Sequence, residues 1–397
     1  MRVLQVCAEI FPLLKTGGLA DVAGALPAAL AAQGARVRVL LPGFPAILAG
    51  LEGARPLARL AAPAALAPVE ARLLFGRLPA CGVEAYVIDA PAFYRRAGGP
   101  YADAHHQPYA DNHLRFALLG WAAARLAGGL DTGWAPDVVH CHDWHAGLAP
   151  ACLRAEAERR GRAMPPSLFT IHNLAYQGAF DAARFGELGL PAHFFSMHGV
   201  EFHGQLNFMK AGLYYADRIS TVSPSYAREI QSYEQGCGFD GLLRSRAHDL
   251  EGILNGVDAG VWSPVADPLL PATYSADDTA GKAACKAALQ RALGLKRAAS
   301  APLFCVVSRL TEQKGLHLVL DALPSDVLRT FTADTPSKRP TCFSILATHE
   351  GQEKPPARRT VRVEEAFVVM IIIPFDDGSA RSWAGTHDAT NGPAGSP

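Results

Sequence analysis

Lys15-Thr16-Gly17-Gly18-Leu19-Ala20-Asp21 joins the first apolar run of the chain to the first stretch with helical spacing. Two consecutive glycines let a backbone approach a ligand closely, and the helix that follows turns its positive end toward the loop. Lys15 adds a mobile cation, so the segment suits an anion such as a phosphate. It is neither a Walker loop nor a G-x-G-x-x-G turn, and an ordinary glycine turn beside an exposed lysine is the competing reading of the bare pattern. His172 closes a later apolar run, at the kind of position where open α/β sheets collect ligands. The run His140-Cys141-His142-Asp143-Trp144-His145 invites a metal reading. Strand alternation places His140 and His142 on one face and Cys141 on the other, with no second ligand cluster nearby in sequence, so no metal site is expected.

These residues need a frame of alternating strands and helices. Residues 3–8 form a continuous apolar run of the kind buried on both faces of a sheet. Leu19, Val22, Ala23, Leu26 and Leu30 then recur at helical spacing up to Gly34, and residues 37–42 form the next strand. That βαβ unit implies a parallel sheet with a right-handed crossover. Strands are expected again at 84–89, 137–142, 167–172 and 218–222, with a helix over 112–128. Residues 43–70 are rich in Ala, Pro and Leu and show no clear period. A Pro-containing linker over 263–274, a helix over 279–295, a strand over 303–308 and a helix over 315–323 suggest that a second α/β domain opens near Ala301.

Composition limits what the chain can be. It has 397 residues, 49% hydrophobic and 19% charged, with Lys+Arg and Asp+Glu balanced at 37 each. That length allows two domains with separate cores, and a neutral balance gives no general attraction to nucleic acid or to an anionic membrane. No apolar run reaches the roughly 18–20 residues of a spanning helix. The eight cysteines are scattered without a C-x-x-C pair, and the start of the chain reads as a buried strand, so the cytoplasm is the expected compartment. The final part differs. Leu falls from 44 in residues 1–324 to 2 in residues 325–397, while Thr goes from 7 to 8. So abrupt a switch inside a domain that has just begun reads as a change of coding frame near Pro324, with a divergent loop-rich extension as the alternative. Within it, residues 367–373 form an isolated apolar run with nothing obvious to pair with, and the segment is prone to disorder.

Lys15-Thr16-Gly17-Gly18-Leu19-Ala20-Asp21-Val22 resembles the signature of bacterial glycogen synthases and plant starch synthases, and the likeness recurs in order as far as about Pro324. It includes Tyr109-Ala110-Asp111-Asn112-His113-Leu114-Arg115-Phe116, His142-Asp143-Trp144-His145-Ala146-Gly147-Leu148, Thr170-Ile171-His172-Asn173-Leu174-Ala175-Tyr176-Gln177-Gly178 and Lys210-Ala211-Gly212-Leu213-Tyr214-Tyr215-Ala216-Asp217. Thr221-Val222-Ser223-Pro224, Leu254-Asn255-Gly256-Val257-Asp258 and Ser308-Arg309-Leu310-Thr311-Glu312-Gln313-Lys314-Gly315 continue it.

The resemblance implies an α/β fold of GT-B type, two Rossmann-like domains facing a cleft, the second one incomplete here. Residues 1–262 would be the starch-synthase-type catalytic domain on the acceptor side, 263–300 a linker and helix, 301–324 the start of the nucleotide-sugar-binding domain, and 325–397 an atypical tail, frameshifted or disordered. It implies transfer of glucose from ADP-glucose to an α-1,4-glucan with retention of configuration, without metal or other cofactor. Lys15, the Gly17 and Gly18 amides, Arg309 and Lys314 would stabilise the charge on the departing diphosphate. His172 would contact the transferred glucose, its backbone carbonyl supporting the oxocarbenium-like centre. Asp143 would be a partner of a sugar hydroxyl or a charge, Asn255 would serve the donor or acceptor sugar, and Tyr101 would stack on an acceptor glucose, with Tyr109 as its competitor.

One part of the family pattern is missing. Its second domain carries a Glu-x7-Glu stretch and a glycine-rich loop, yet Glu350, Glu353, Glu364 and Glu365 contain no pair eight apart, and no glycine-rich loop before a helix follows Gly315. Little or no synthase activity is therefore expected of this polypeptide. The alternatives are a non-catalytic glucan-binding remnant and another GT-B transferase using a UDP-sugar.

Overall fold

Strands placed by apolar runs assemble into one large sheet in the computed structural model, which describes residues 1–60, 70–292, 297, 299–300, 303–307, 312–315, 317–318 and 367–371. Two compact units result, one over Met1–Gly256 and one over Val257–Asp376. The strands of the first unit are β1 (Arg2–Val6), β2 (Arg36–Pro42), β3 (Glu52–Arg59), β4 (Arg72–Leu78), β5 (Val83–Asp89), β6 (Val138–His142), β7 (Ser167–Ile171), β8 (Ala179–Asp181), β9 (Glu201–Phe202), β10 (Gln205–Asn207), β11 (Arg218–Thr221) and β12 (Leu250–Gly252). Nine of them form a sheet in the order β12-β11-β7-β6-β1-β2-β5-β4-β3, and β8, β10 and β9 make a small antiparallel sheet.

The centre of the large sheet is parallel, as the βαβ reading requires. Val3 lies opposite Val37 of β2 on one side and Val138 of β6 on the other. The chain runs from β1 outward to β2 and β5, then returns to place β6 on the opposite flank of β1, so the strand order reverses between β1 and β6. Reversal leaves a crevice at the carboxyl ends of those two strands, because their connections leave toward opposite sides.

The sheet is not parallel throughout, and residues 43–70, where no period is legible, contribute one of its antiparallel strands. β4 runs antiparallel to β5, and β3 antiparallel to β4 with two register shifts. β3 is mostly exposed and carries Glu52, Arg55, Pro56 and Arg59. Charge, proline and irregular register are how an edge strand avoids pairing with another chain, and they also erase the alternation that would have marked it.

Helices cover the faces. They are α1 (Gly18–Ala32), α2 (Pro45–Ala49), α3 (Pro91–Tyr94), α4 (Asn112–Ala127), α5 (Asp143–Ala146), α6 (Leu148–Arg160), α7 (Phe208–Tyr215), α8 (Pro224–Glu229), α9 (Asp240–Ser245) and, in the second unit, α10 (Gly281–Ala292). α4 packs against α6, and α6 against α7. α4 is apolar almost all round and correspondingly buried, and it takes Asn112, His113 and Arg115 into the interior with it. Among the described residues no helix is long and apolar enough to cross a membrane. Cys7, Cys81, Cys141, Cys152, Cys237 and Cys285 are free thiols.

In the second unit β13 (Leu303–Val307) pairs in parallel with β14 (Phe367–Ile371), Leu303 opposite Phe367. The apolar run read as unpartnered therefore has a partner. Pairing across more than sixty residues of chain leaves no local signal, so only the assembled backbone reveals it.

Candidate active site

Four loops leave the carboxyl ends of neighbouring parallel strands and meet at the crevice beside β1 and β6. The loop after β1 carries Glu9 and the Lys15–Gly18 turn, and α5 begins directly after β6 with Asp143. His172 follows β7, and Ser223 follows β11 to cap α8, accepting a hydrogen bond from the Tyr226 amide at 3.0 Å.

Gly17 is the N-cap of α1 and Gly18 its first residue. A methyl group built on either would meet no atom within 4 Å, so the turn is open on the side where a side chain would stand. Lys15 Nζ lies 2.8 Å from Asp21 Oδ1 in the first turn of α1. What holds the turn is Glu9, only 2% exposed. Its carboxylate accepts from the Thr16 amide at 2.6 Å and from Thr16 Oγ1 at 2.5 Å, and the Tyr101 hydroxyl donates to it as well. A buried carboxylate with three donors is satisfied without a cation. Glu9 was visible in the sequence only as a polar interruption after an apolar strand, and nothing local pointed to its role.

Tyr101, read as a sugar-stacking residue, is partly buried. One face of its ring lies against His145, with centroids 4.4 Å apart and planes 25° apart, and its hydroxyl is tied to Glu9. Burial, then the negative charge of Glu9, hold its phenol well above the ordinary range. The motif from Tyr109 to Phe116 serves as its buttress. Asn112 Nδ2 donates to the Tyr101 carbonyl at 2.9 Å, and Arg115, fully buried, donates to Asn112 Oδ1 at 2.6 Å and to the Phe93 carbonyl at 2.8 Å. Tyr109 bonds the Ala97 carbonyl and lies under the Arg115 guanidinium at 4.5 Å.

Asp143 has a left-handed backbone, φ 55°, which is uncommon for a residue with a side chain. Its Oδ1 accepts from the amides of His172 at 2.7 Å and Asn173 at 3.3 Å. The carboxylate thus fastens the loop after β7 to the start of α5. Burial, opposed by those two amides, raises its carboxyl to about 7. His172 is bonded through Nε2 to His142 Nδ1 at 3.0 Å, and burial lowers its imidazole to about 4, so the ring is neutral at pH 7. His140 packs against His142 with centroids 4.0 Å and planes 37° apart, the same-face arrangement read from strand alternation. Its Nε2 pairs with Thr170 Oγ1 at 2.7 Å, which pairs in turn with Ser220 Oγ at 2.7 Å. Among the described residues no group of three His, Cys, Asp or Glu side chains is arranged to hold a metal ion.

Gly178 shows how closely the next segment is packed. It has φ 60°, and a Cβ there would lie 2.2 Å from the Trp144 ring. Gln177 bridges Asn207 at 2.9 Å and the Cys237 carbonyl at 3.0 Å, linking the small sheet to the site wall.

Hydrogen bonds and ring stacking join Thr16, Glu9, Tyr101 and His145, and Asp143 ties the start of α5 to the His172 loop. Asn255 is exposed, in an irregular segment after β12. Lys314 is exposed in a short 3-10 turn of the second unit, and Arg309 lies outside the described residues.

A family model described as the starch synthase catalytic domain matches residues 2–245. A glycogen synthase of Leptothrix cholodnii is 66% identical over 388 residues, covering 95% of this chain and 78% of that protein. One of Variovorax paradoxus is 61% identical over 330 residues, covering 81% of this chain and 66% of that protein. The Leptothrix alignment therefore extends past Pro324. Among solved structures, the catalytic domain of starch synthase IV from Arabidopsis thaliana bound to ADP and acarbose is 30% identical with a TM-score of 0.70, covering 81% of this chain and 65% of that one.

Proposed function

The chain belongs to the glycogen and starch synthase family of glycosyltransferases, with its α/β fold of GT-B type, and we propose that its site serves transfer of glucose from ADP-glucose to the non-reducing end of an α-1,4-glucan, with retention, in the cytoplasm. The observation that carries this reading is the meeting of an open Gly17-Gly18 turn, Lys15, Asp143 and His172 at the crevice between β1 and β6. The ADP and acarbose held by the Arabidopsis starch synthase domain support the pairing of a nucleoside diphosphate with a glucan-like ligand.

When the glycosidic bond to ADP breaks, negative charge grows on the diphosphate oxygens. Amides at the start of α1 stabilise it without needing to reorganise, and the Lys15 ammonium joins them on leaving Asp21. The positive charge developing at the sugar is met by the His172 loop, held in position through its amide by Asp143. A neutral His172 ring hydrogen-bonds a glucose hydroxyl. No residue is assigned to hold a metal or other cofactor, and nucleic acid and membrane have no role in the scheme.

Transfer by this polypeptide is expected to be slow, because residues after Gly315 lack the Glu-x7-Glu pattern and glycine-rich loop of the family. Loss of preorganised donor contacts lowers turnover by about 100-fold or more. The test is incorporation of labelled glucose from ADP-glucose into glycogen, beside the Leptothrix enzyme. Weak incorporation that disappears in Lys15→Met supports the proposal, and turnover close to the relative's contradicts the expected loss. Co-sedimentation with glycogen without incorporation favours a glucan-binding remnant, and preference for UDP-glucose overturns the donor assignment.

A further inference from the structure

Two buried histidines meet through a single hydrogen bond, and the atoms left over indicate which way it runs. His142, 1% exposed, ends β6, and its Nδ1 lies 3.0 Å from Nε2 of His172. One of these nitrogens carries the proton and the other accepts it, since both rings are held neutral by burial. The other nitrogen of His142, Nε2, is buried and has no hydrogen-bond partner. If His172 were the donor, the proton of His142 would sit on that Nε2, a buried N–H with nothing to receive it. Orphaned buried N–H groups are among the rarest features of folded proteins, and an unshared lone pair is the milder defect.

We infer that His142 donates Nδ1–H to His172 Nε2 and thereby fixes His172 as the Nδ1–H tautomer, with its Nδ1–H the donor offered to a hydroxyl of the bound sugar. His142 is thus a positioning residue that acts through His172. The choice concerns more than orientation. With Nε2 occupied as an acceptor, His172 has one free ring nitrogen, and that atom can only donate. A ligand must therefore bring an oxygen lone pair to it, which every glucose hydroxyl has. His140 supports the arrangement by packing against His142 with ring planes 37° apart, its own Nε2 engaged by Thr170.

The assignment of the sugar as ligand rests on the proposed function, but the tautomer does not, so the test separates them. The chain labelled with 15N-histidine and observed without ligand by long-range 1H–15N correlation at pH 7 reports the protonated nitrogen of each ring. The expected result is protonated Nδ1 and unprotonated Nε2 for both His142 and His172, assigned by loss of one ring's signals in each of His142→Asn and His172→Asn. Protonated Nε2 on His172 overturns the inference. In His142→Asn the side-chain amide places an N–H where Nδ1–H was, and His172 is expected to keep its tautomer. If the tautomers are as expected and no sugar binds, the proposed function fails and the inference about His142 stands.

Discussion

Replacing Asp143 by asparagine should make the folded chain more stable at alkaline pH. The carboxyl has an ordinary value of 3.8 and is raised to about 7 in the folded protein, mainly by burial. Between those values the folded chain keeps a proton that the unfolded chain has lost. Stability contributed by the protonated form is therefore present at acidic pH and falls as the pH rises through that window, with the full penalty in place above about pH 7. At about 1.36 kcal/mol for each pH unit, the penalty is on the order of 1–2 kcal/mol at pH 5 and about 4 kcal/mol at pH 8. Asparagine retains an oxygen able to accept from the His172 and Asn173 amides and cannot ionise. The stability difference between Asp143→Asn and the parent chain should thus grow in favour of the variant by about 2–3 kcal/mol between pH 5 and pH 8. Any fixed loss from the substitution itself cancels in that comparison. Urea unfolding at a series of pH values checks it, followed through tryptophan fluorescence, with Trp144 adjacent to the substituted residue. A difference that does not change with pH would show that Asp143 is ionised throughout, and the argument from burial would be wrong.

Two further perturbations probe the parts that shape the site. Glu9→Gln leaves one acceptor oxygen for three donors and turns an amide N–H toward them, so a loss of about 1–3 kcal/mol is expected. Hydrogen exchange at the Thr16 amide should accelerate, and unchanged protection there would refute the view that Glu9 holds the turn. Gly178→Ala places a Cβ against the Trp144 ring in a left-handed backbone, and about 1–3 kcal/mol of destabilisation is expected, with a shift in Trp144 emission. A variant as stable as the parent, with unaltered emission, would show that the contact is readily relaxed.

Much of the frame was legible in the chain because its signals are local. The apolar runs of β1, β2, β5, β6, β7 and β11, and the helical period of α1 and α4, report burial within a few residues of themselves. The glycine turn at Gly17 and Gly18 could be read in the same way, since its conformational freedom and its place before a helix belong to adjacent residues. Identical reasoning failed at β3, where charges and Pro56 protect an edge and hide the alternation, and at β14, whose partner is remote in sequence.

The site divides along the same line. Residue types and their order were enough to single out Lys15, Asp143 and His172, but not to say what each one touches. Only the folded chain shows that Glu9 holds the Thr16 turn, that Tyr101 has one face already covered by His145, and that Asp143 binds backbone amides. It also brings His142 against His172, thirty residues away. The physical reason is that hydrogen bonds and ring contacts act over a few ångströms, while the residues making them come from the ends of separate strands. Sequence order carries no measure of that proximity until the sheet has aligned those ends.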